Sequence, residues 1–265
     1  MLSVSAPDQS MVALMLMLLL GSVILVGTFL AILTAHWLRT RKSSFLLGSF
    51  PSAAYPRETS ERTLSELFER PVRWLTIRHQ NVAAVQRALG LHKAALCGWT
   101  EAIAHLGDRR LFISPPIKGW ILVVGQSLPD PADDPDRCFH FITRLSRELG
   151  RVQYFSYNRA VNHHCWVKAD AGVIHRAYAW AGETVWNQGE LTSAERNLGL
   201  KCYDYGESPL VFPFTARESH FANGDKVVLL ASQWSIDPMG MAHLPLLSHP
   251  GITGEISAKS RGFPG

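Results

Sequence analysis

The hydrophobic positions of this chain form one long unbroken stretch near the N-terminus and shorter periodic stretches after it. No Asp, Glu, Lys or Arg occurs between Gln9 and Leu38, and residues 11–38 are almost wholly apolar. At about 1.5 Å per helical residue this stretch would be about 42 Å long, whereas about 20 residues already cross a bilayer core. A secretory signal has a shorter apolar region that follows basic residues, and residues 1–10 contain none. The pattern predicts a retained transmembrane helix over 11–38.

The charges on either side of this predicted helix indicate its orientation. Arg39, Arg41 and Lys42 follow it directly, and Asp8 is the one charged residue before it. Basic residues next to a transmembrane helix stay on the cytoplasmic side. The sequence therefore predicts a short extracytoplasmic N-terminus at 1–10, a basic juxtamembrane linker at 39–60, and a cytoplasmic remainder.

Small residues recur along one face of the predicted transmembrane helix. Gly27, Ala31 and Ala35 are spaced four residues apart, and small residues at this spacing allow two helices to approach closely. We therefore expect the bilayer as one partner and a homodimer through this face as another. Gly and Ala are also common in transmembrane helices in general, so a single helix without a partner stays open.

One helix in the remainder of the chain has a complete set of signals. Asp134 is a good N-cap, Pro135 suits the first helical position, and Gly150 suits the C-terminal end. The apolar residues between them follow the helical period, at Cys138, Phe141, Ile142, Leu145 and Leu149. Shorter helices are predicted at 63–68, 81–91, 99–106 and 192–198, the first and last of these opening with a capping box.

Strand patterns fill the middle of the chain. The continuous apolar stretch at 119–125 predicts a strand buried on both faces, and strands are also predicted at 111–114, 152–157, 163–169, 173–180 and 183–187. Asp170-Ala171-Gly172 predicts a hairpin between two of them. Helices and strands interleave, which predicts one α+β domain over 61–237, with a mixed, largely antiparallel sheet and flanking helices. Gly, Pro and Ser dominate from 238 onward, and we expect 238–265 to be a flexible tail.

Composition excludes several functions for this domain. The net charge of the chain is +4, but residues 58–265 contain 22 basic and 21 acidic residues, so the basic excess lies beside the predicted membrane helix. A near-neutral domain without a Lys/Arg stripe is not a nucleic-acid binder. The four cysteines have no C-x-x-C spacing, which predicts buried, reduced thiols in the cytoplasm. No signature of a nucleotide-binding, hydrolase or kinase site occurs, and no cofactor is indicated.

Aromatic and basic residues alternate onto one face of the predicted hairpin. If Arg176 lies opposite Trp166, the two form a cation–π pair, and aromatic residues with arginine also anchor protein interfaces. This face is therefore interpreted either as core packing or as a recognition surface. Its candidate binding residues are His164, Trp166, Arg176, Tyr178 and Trp180.

A second candidate site consists of metal ligands on the other hairpin face. His163 and Cys165 alternate onto one face of the first strand, and the second strand offers His175. Cysteine and histidine are the ligands that zinc prefers, although a zinc site needs three or four of them. The alternative interpretation is a satisfied core histidine beside a buried cysteine.

Three segments resemble an uncharacterised set of bacterial proteins. They are SPPIKGW at 114–120, LSRELGRVQ at 145–153 and AYAWAGE at 177–183, followed by WNQG at 186–189. The resemblance covers about 81–206. It implies a bacterial origin, hence the bacterial inner membrane, and a coherent domain. It implies no activity, cofactor or residue role.

These observations favour a membrane-anchored cytoplasmic interaction or sensing module with an unknown protein partner. The main alternative is a membrane-tethered enzyme or metal-binding protein that uses His163, Cys165 and His175. Another alternative is a small-molecule binder with a tryptophan-lined pocket.

Overall fold

The computed structural model describes residues 15, 17–22, 25–28, 66–104, 106, 109–207, 216–243 and 249–256. The chain divides into two units, Met1–Ala54 and Tyr55–Gly265. All described residues of the first unit are helical and exposed. Most of the predicted transmembrane helix, including Ala31 and Ala35 of the predicted dimer face, lies outside the described residues. Within the described part of the chain, no helix is long and apolar enough to cross a membrane.

The second unit is built on one sheet of nine strands. Their order across the sheet is β2-β9-β3-β4-β1-β5-β6-β7-β8. The strands are β1 Val72–Ile77, β2 Leu91–Cys97, β3 Arg110–Ile113, β4 Ile121–Val124, β5 Val152–Asn158, β6 His163–Asp170, β7 Val173–Trp180, β8 Thr184–Gln188 and β9 Gly251–Ile256. Every neighbouring pair of these described strands is antiparallel, and the sequence predicted a mixed, largely antiparallel sheet. The α+β class is confirmed.

Helices pack on both faces of this sheet. They are α1 Val82–Leu89, α2 Trp99–Ala104, α3 Pro135–Leu149, α4 Ser193–Asn197 and α5 Ala216–Trp234, with a helical turn at 66–69 and a 3-10 helix at Gly240–His243. The predicted caps of α3 are confirmed, since the Asp134 side chain accepts a hydrogen bond from the Arg137 N–H. The predicted capping box of α4 is also present.

The two faces of the sheet carry different side chains. The aliphatic face, packed against α1 and α3, consists mainly of Leu, Ile, Val, Ala and Cys residues such as Leu75, Val123 and Cys165. The aromatic face is packed against α2, α4 and α5 and is centred on Trp74 and Trp166. Strand alternation sends successive residues to opposite faces, so a nine-stranded sheet has a separate core on each side.

Part of 238–265, which was expected to be a flexible tail, forms regular structure. Residues 251–256 form β9, which lies inside the sheet between β2 and β3. A Cβ at Gly251 would lie 2.4 Å from the Ile113 carbonyl oxygen and from the Phe112 ring. This glycine is required because another strand approaches closely, which is a packing role that composition alone does not reveal.

Candidate functional site

The five residues predicted to bind a partner all lie on the aromatic face, and all five are buried. Trp166 and Tyr178 are directly paired across the hairpin, with ring centroids 5.0 Å apart. Residues of α4, α5 and the segment 200–203 belong to the same buried cluster and pack against them. Core packing was one of the two interpretations of this face, and the burial of these side chains favours it over an exposed recognition surface.

The register of the hairpin differs from the predicted one. Trp166 lies opposite Tyr178, and Arg176 lies opposite Lys168, because a bulge next to Ala169 shifts β7 along β6. A bulge adds one residue to one strand without a partner on the other. The Arg176 guanidinium therefore lies over the ring of Tyr178, 5.8 Å from its centroid, and not over Trp166 as predicted.

Arg176 forms a buried ion pair with Glu195 of α4. The Arg176 Nε donates to Glu195 Oε1 over 2.7 Å, and the Trp166 indole N–H donates to the same oxygen over 2.7 Å. The other carboxylate oxygen accepts from the backbone N–H and the hydroxyl of Thr192, each over 2.7 Å. The Arg176 Nη1 donates to the Asn187 side chain and to backbone carbonyls. The charges of Arg176 and Glu195 are thus paired within the network. Its role is structural, because it holds α4 against the sheet.

The predicted metal ligands are not brought together. His163 begins β6, whereas His175 lies at the bulge near the other end of the same hairpin. They are separated by between five and six strand residues, or about 18 Å at 3.3 Å per residue. Cys165 is buried on the aliphatic face. Among the described residues no group of three or more His, Cys, Asp or Glu could hold a metal ion.

Burial suppresses the reactivity of the cysteines. Desolvation raises the pKa of the Cys165 and Cys138 thiols well above the ordinary value, since the thiolate would lie in an apolar core. Desolvation likewise raises the pKa of Cys97 to about 11, and that of Cys202 to about 12. A catalytic cysteine needs a lowered pKa, so none of these four is prepared to act as a nucleophile.

We therefore expect the native protein to resist alkylation at pH 8. Thiols react as thiolates, and a pKa of about 11 leaves about one thiol in a thousand ionised at that pH. Iodoacetamide labelling of the full-length chain, followed by peptide mass spectrometry, should leave Cys138 and Cys165 unmodified until denaturant is added. Rapid modification of either residue in the folded protein would contradict their burial.

A different group of polar side chains converges at the end of the sheet where β1 and β6 begin and β5 ends. We call it the polar pit, a cavity of about 90 Å³. Its charged and polar lining includes Arg73 of β1, Asp130 of the β4–α3 loop, Ser156 and Asn158 of β5, and His163 of β6. Strand alternation places Arg73, Ser156, Asn158 and His163 on the aliphatic face, where the apolar side chains give way to polar ones.

The β4–α3 loop is held over the pit by Arg73. The Arg73 Nη2 donates to Asp130 Oδ2 over 2.5 Å, and its Nη1 donates to the backbone carbonyls of Gln126 and Leu128. The other oxygen of Asp130 accepts from the Ala132 N–H over 3.0 Å. Both charged side chains are about one fifth exposed, so solvent reaches the pair.

Three side chains of the pit retain unused hydrogen-bonding groups. The Asn158 carbonyl oxygen accepts from the Ala160 N–H over 3.1 Å, which leaves its two amide hydrogens unused. Within the described part of the chain, the Ser156 hydroxyl and the His163 ring have no hydrogen-bond partner. The pit thus offers a surplus of hydrogen-bond donors around a small volume.

Comparisons with models of known protein families, with curated proteins and with solved structures found no match to this chain. The polar pit is therefore identified as a candidate site from its geometry alone. Sequence reasoning named His163 but joined it to the wrong partners, and it missed Arg73, Asp130, Ser156 and Asn158. Their one signal was polar residues within strand patterns, such as Ser156 and Asn158 alternating with aromatic residues in β5.

Proposed function

We propose that the chain is a single-pass protein of the bacterial inner membrane whose cytoplasmic α+β domain senses a small anionic ligand in the polar pit. The N-terminus lies outside, the helix at 11–38 is the anchor, and a protein partner reads the ligand state. The observation that carries the proposal is the convergence of unused donors from Ser156, Asn158 and His163 beside Arg73.

Local hydrogen bonding in the described part of this helix is compatible with the proposed anchor. The hydroxyl of Ser22 donates to the Leu19 carbonyl over 2.8 Å, and that of Thr28 donates to the Leu25 carbonyl over 2.9 Å. A lipid environment requires polar groups to be satisfied internally. These two hydroxyls meet that requirement within the helix.

The proposed charge of the ligand follows from the balance of donors and acceptors. Asp130 supplies the one carboxylate of the pit, and both of its oxygens already accept hydrogen bonds, from Arg73 and from Ala132. Neutral Asn and Ser side chains, a histidine ring and a guanidinium surround the remaining space. Arg73 is already paired with Asp130, so the donors left for a ligand are those of Ser156, Asn158 and His163, and the acceptor oxygens of a small oxyanion are suited to them.

The alternative functions have less support from the geometry. An enzyme or metal-binding protein based on His163, Cys165 and His175 would need these residues to meet, and the hairpin separates the two histidines. A tryptophan-lined pocket would need open space beside Trp166, which is fully buried against α4 through its bond to Glu195.

Small oxyanions are therefore expected to raise the melting temperature of the full-length protein. A ligand that binds only the folded state at tenfold its Kd stabilises by about 1.4 kcal/mol, or about 3–5 °C for a domain of this size. Thermal unfolding in phosphate, sulfate and acetate, at matched ionic strength with chloride, measures this shift.

Two alanine variants make this test specific. Asn158→Ala removes two donors of the pit and should lose the ligand-dependent shift. Asn197→Ala removes the same type of side chain from an exposed position on α4 and should keep it. An equal shift in wild type and in Asn158→Ala would mean that the anion acts elsewhere and would refute the proposed site.

A further inference from the structure

The polar pit has an apolar neighbour. A groove of about 300 Å³ lies at the same end of the sheet, lined by Leu67, Ile103, Leu106 and Val124, with Glu66 and Arg70 also at its wall. We call it the apolar groove. The pit and the groove share Pro71, Val72 and Gln126 as lining residues. The two cavities therefore adjoin at this end of the sheet, with the pit side chains on the aliphatic face and the groove side chains on the aromatic face.

We infer that the ligand of this site is an amphiphile with an anionic head in the polar pit and a single apolar chain in the apolar groove. This inference rests on the proposed function and names its ligand class. The head would meet the donors of Ser156, Asn158 and His163. The chain would cover the partly buried side chains of Leu67, Ile103 and Leu106.

Gln126 is one of the three residues that the two cavities share. Its side-chain amide donates to the Pro71 carbonyl over 2.6 Å, and its backbone carbonyl accepts from the Arg73 Nη1 over 2.9 Å. The same residue therefore holds the wall of the groove and positions the guanidinium of the pit. This continuity between the two linings is the observation that favours one amphiphilic ligand over a free anion alone.

The distribution of charge agrees with this orientation. Arg73 and Asp130 are paired inside the pit, and the groove has an apolar centre with Glu66 and Arg70 at its margin. Glu66 and Arg70 lie 4.0 Å apart in an exposed i, i+4 pair. An apolar chain in the groove would therefore avoid any uncompensated charge.

The test compares octyl phosphate with inorganic phosphate. The full-length protein is held in phosphatidylcholine nanodiscs, and protein-free nanodiscs correct for partition into lipid. Burying only two methylene groups adds about 1.6 kcal/mol, which is about tenfold in affinity. We expect octyl phosphate to bind at least tenfold more tightly than inorganic phosphate.

Variants test the binding of the ligand's head and of its chain separately. Ile103→Asn and, independently, Leu106→Asn should remove the advantage of the octyl chain while leaving inorganic phosphate binding unchanged. Leu96→Asn, at a position that is 75% exposed and outside the groove, is the matched control and should change neither affinity. Asn158→Ala should weaken both ligands.

The outcomes distinguish this inference from the proposed function. Equal affinities for octyl phosphate and inorganic phosphate would overturn the amphiphile while leaving anion sensing intact. Binding of octanol as tight as that of octyl phosphate, unaffected by Asn158→Ala, would also overturn it, because the head would then lie outside the pit. If neither phosphate binds, both the inference and the proposed function fail.

Discussion

Replacing Glu195 with alanine is expected to destabilise the domain by about 3–5 kcal/mol, which is the usual cost of leaving one charge of a buried pair without its partner. The side chains of Arg176 and Glu195 are 2% and 0% exposed. The substitution also removes the acceptor of the Trp166 indole N–H and the capping interaction with Thr192. For a domain of this size the expected loss is about 6–20 °C in melting temperature.

A surface glutamate provides the control for this variant. Glu148 forms an i, i+4 pair with Arg144 on α3, and both side chains are more than two fifths exposed. Exposed pairs of this kind contribute about 0.3–0.5 kcal/mol, so Glu148→Ala should unfold almost as the wild type does. Urea unfolding of the two variants, followed by circular dichroism, compares them directly. A loss below about 1 kcal/mol for Glu195→Ala would contradict the structural role of the ion pair.

Trp74→Ala is expected to cost about 3–5 kcal/mol, the range for large aromatic side chains removed from a core. Trp74 is fully buried at the centre of the aromatic face. Its ring stacks on Phe155 at 5.2 Å between centroids and meets Phe68 and Tyr157 edge to face. Truncation to alanine leaves a cavity on the aromatic face that these rings can fill only in part.

The conservative variant at the same position tests the physical reason. The Trp74 indole N–H is buried and has no hydrogen-bond partner within the described part of the chain. Trp74→Phe keeps an aromatic ring and removes this unpartnered donor, so its cost should be clearly smaller than that of alanine. Leu96→Ala, on the exposed edge strand, should change the free energy of unfolding by less than about 0.5 kcal/mol. Equal losses for Trp74→Phe and Trp74→Ala would contradict this account.

Local signals predicted the local structure well. The N-cap of α3, the capping box of α4 and the hairpin at 170–172 are all present because each depends on residues a few positions apart. The capping box also shows the limit of such signals. Glu195 was identified as a cap, but its burial against Arg176 depends on β7 and α4 packing together, which no local pattern shows.

Strands without a clear pattern were missed. The segment that forms β1 includes Arg73 and Thr76, and these polar residues break its apolar pattern. The strand tolerates them because distant residues satisfy their polar groups. The segment that forms β2 has five exposed residues between two buried ones, so it shows no alternation at all. Both strands form by pairing with neighbouring strands, and some of these are distant in sequence, as β9 is from β2. A local pattern cannot show such pairing.

The polar pit could not be predicted for the same reason. Its residues come from β1, β5, β6 and the β4–α3 loop, and β1 lies between β4 and β5 in the sheet. Arg73 and Asp130 are 57 positions apart in sequence, yet they form an ion pair. His163 was named from the sequence, but the level of each residue along the hairpin depends on the bulge beside Ala169.

The most direct test of the account is a nuclear magnetic resonance titration of histidine-labelled full-length protein with inorganic phosphate. His163→Gln assigns the ring signal of His163, and His175 at the far end of the hairpin serves as the internal control. Anion binding in the polar pit should produce a saturable shift of the His163 signal that leaves His175 unchanged and disappears in Asn158→Ala. Parallel, unsaturated shifts of both signals, or no shift of His163, would contradict anion binding in the polar pit.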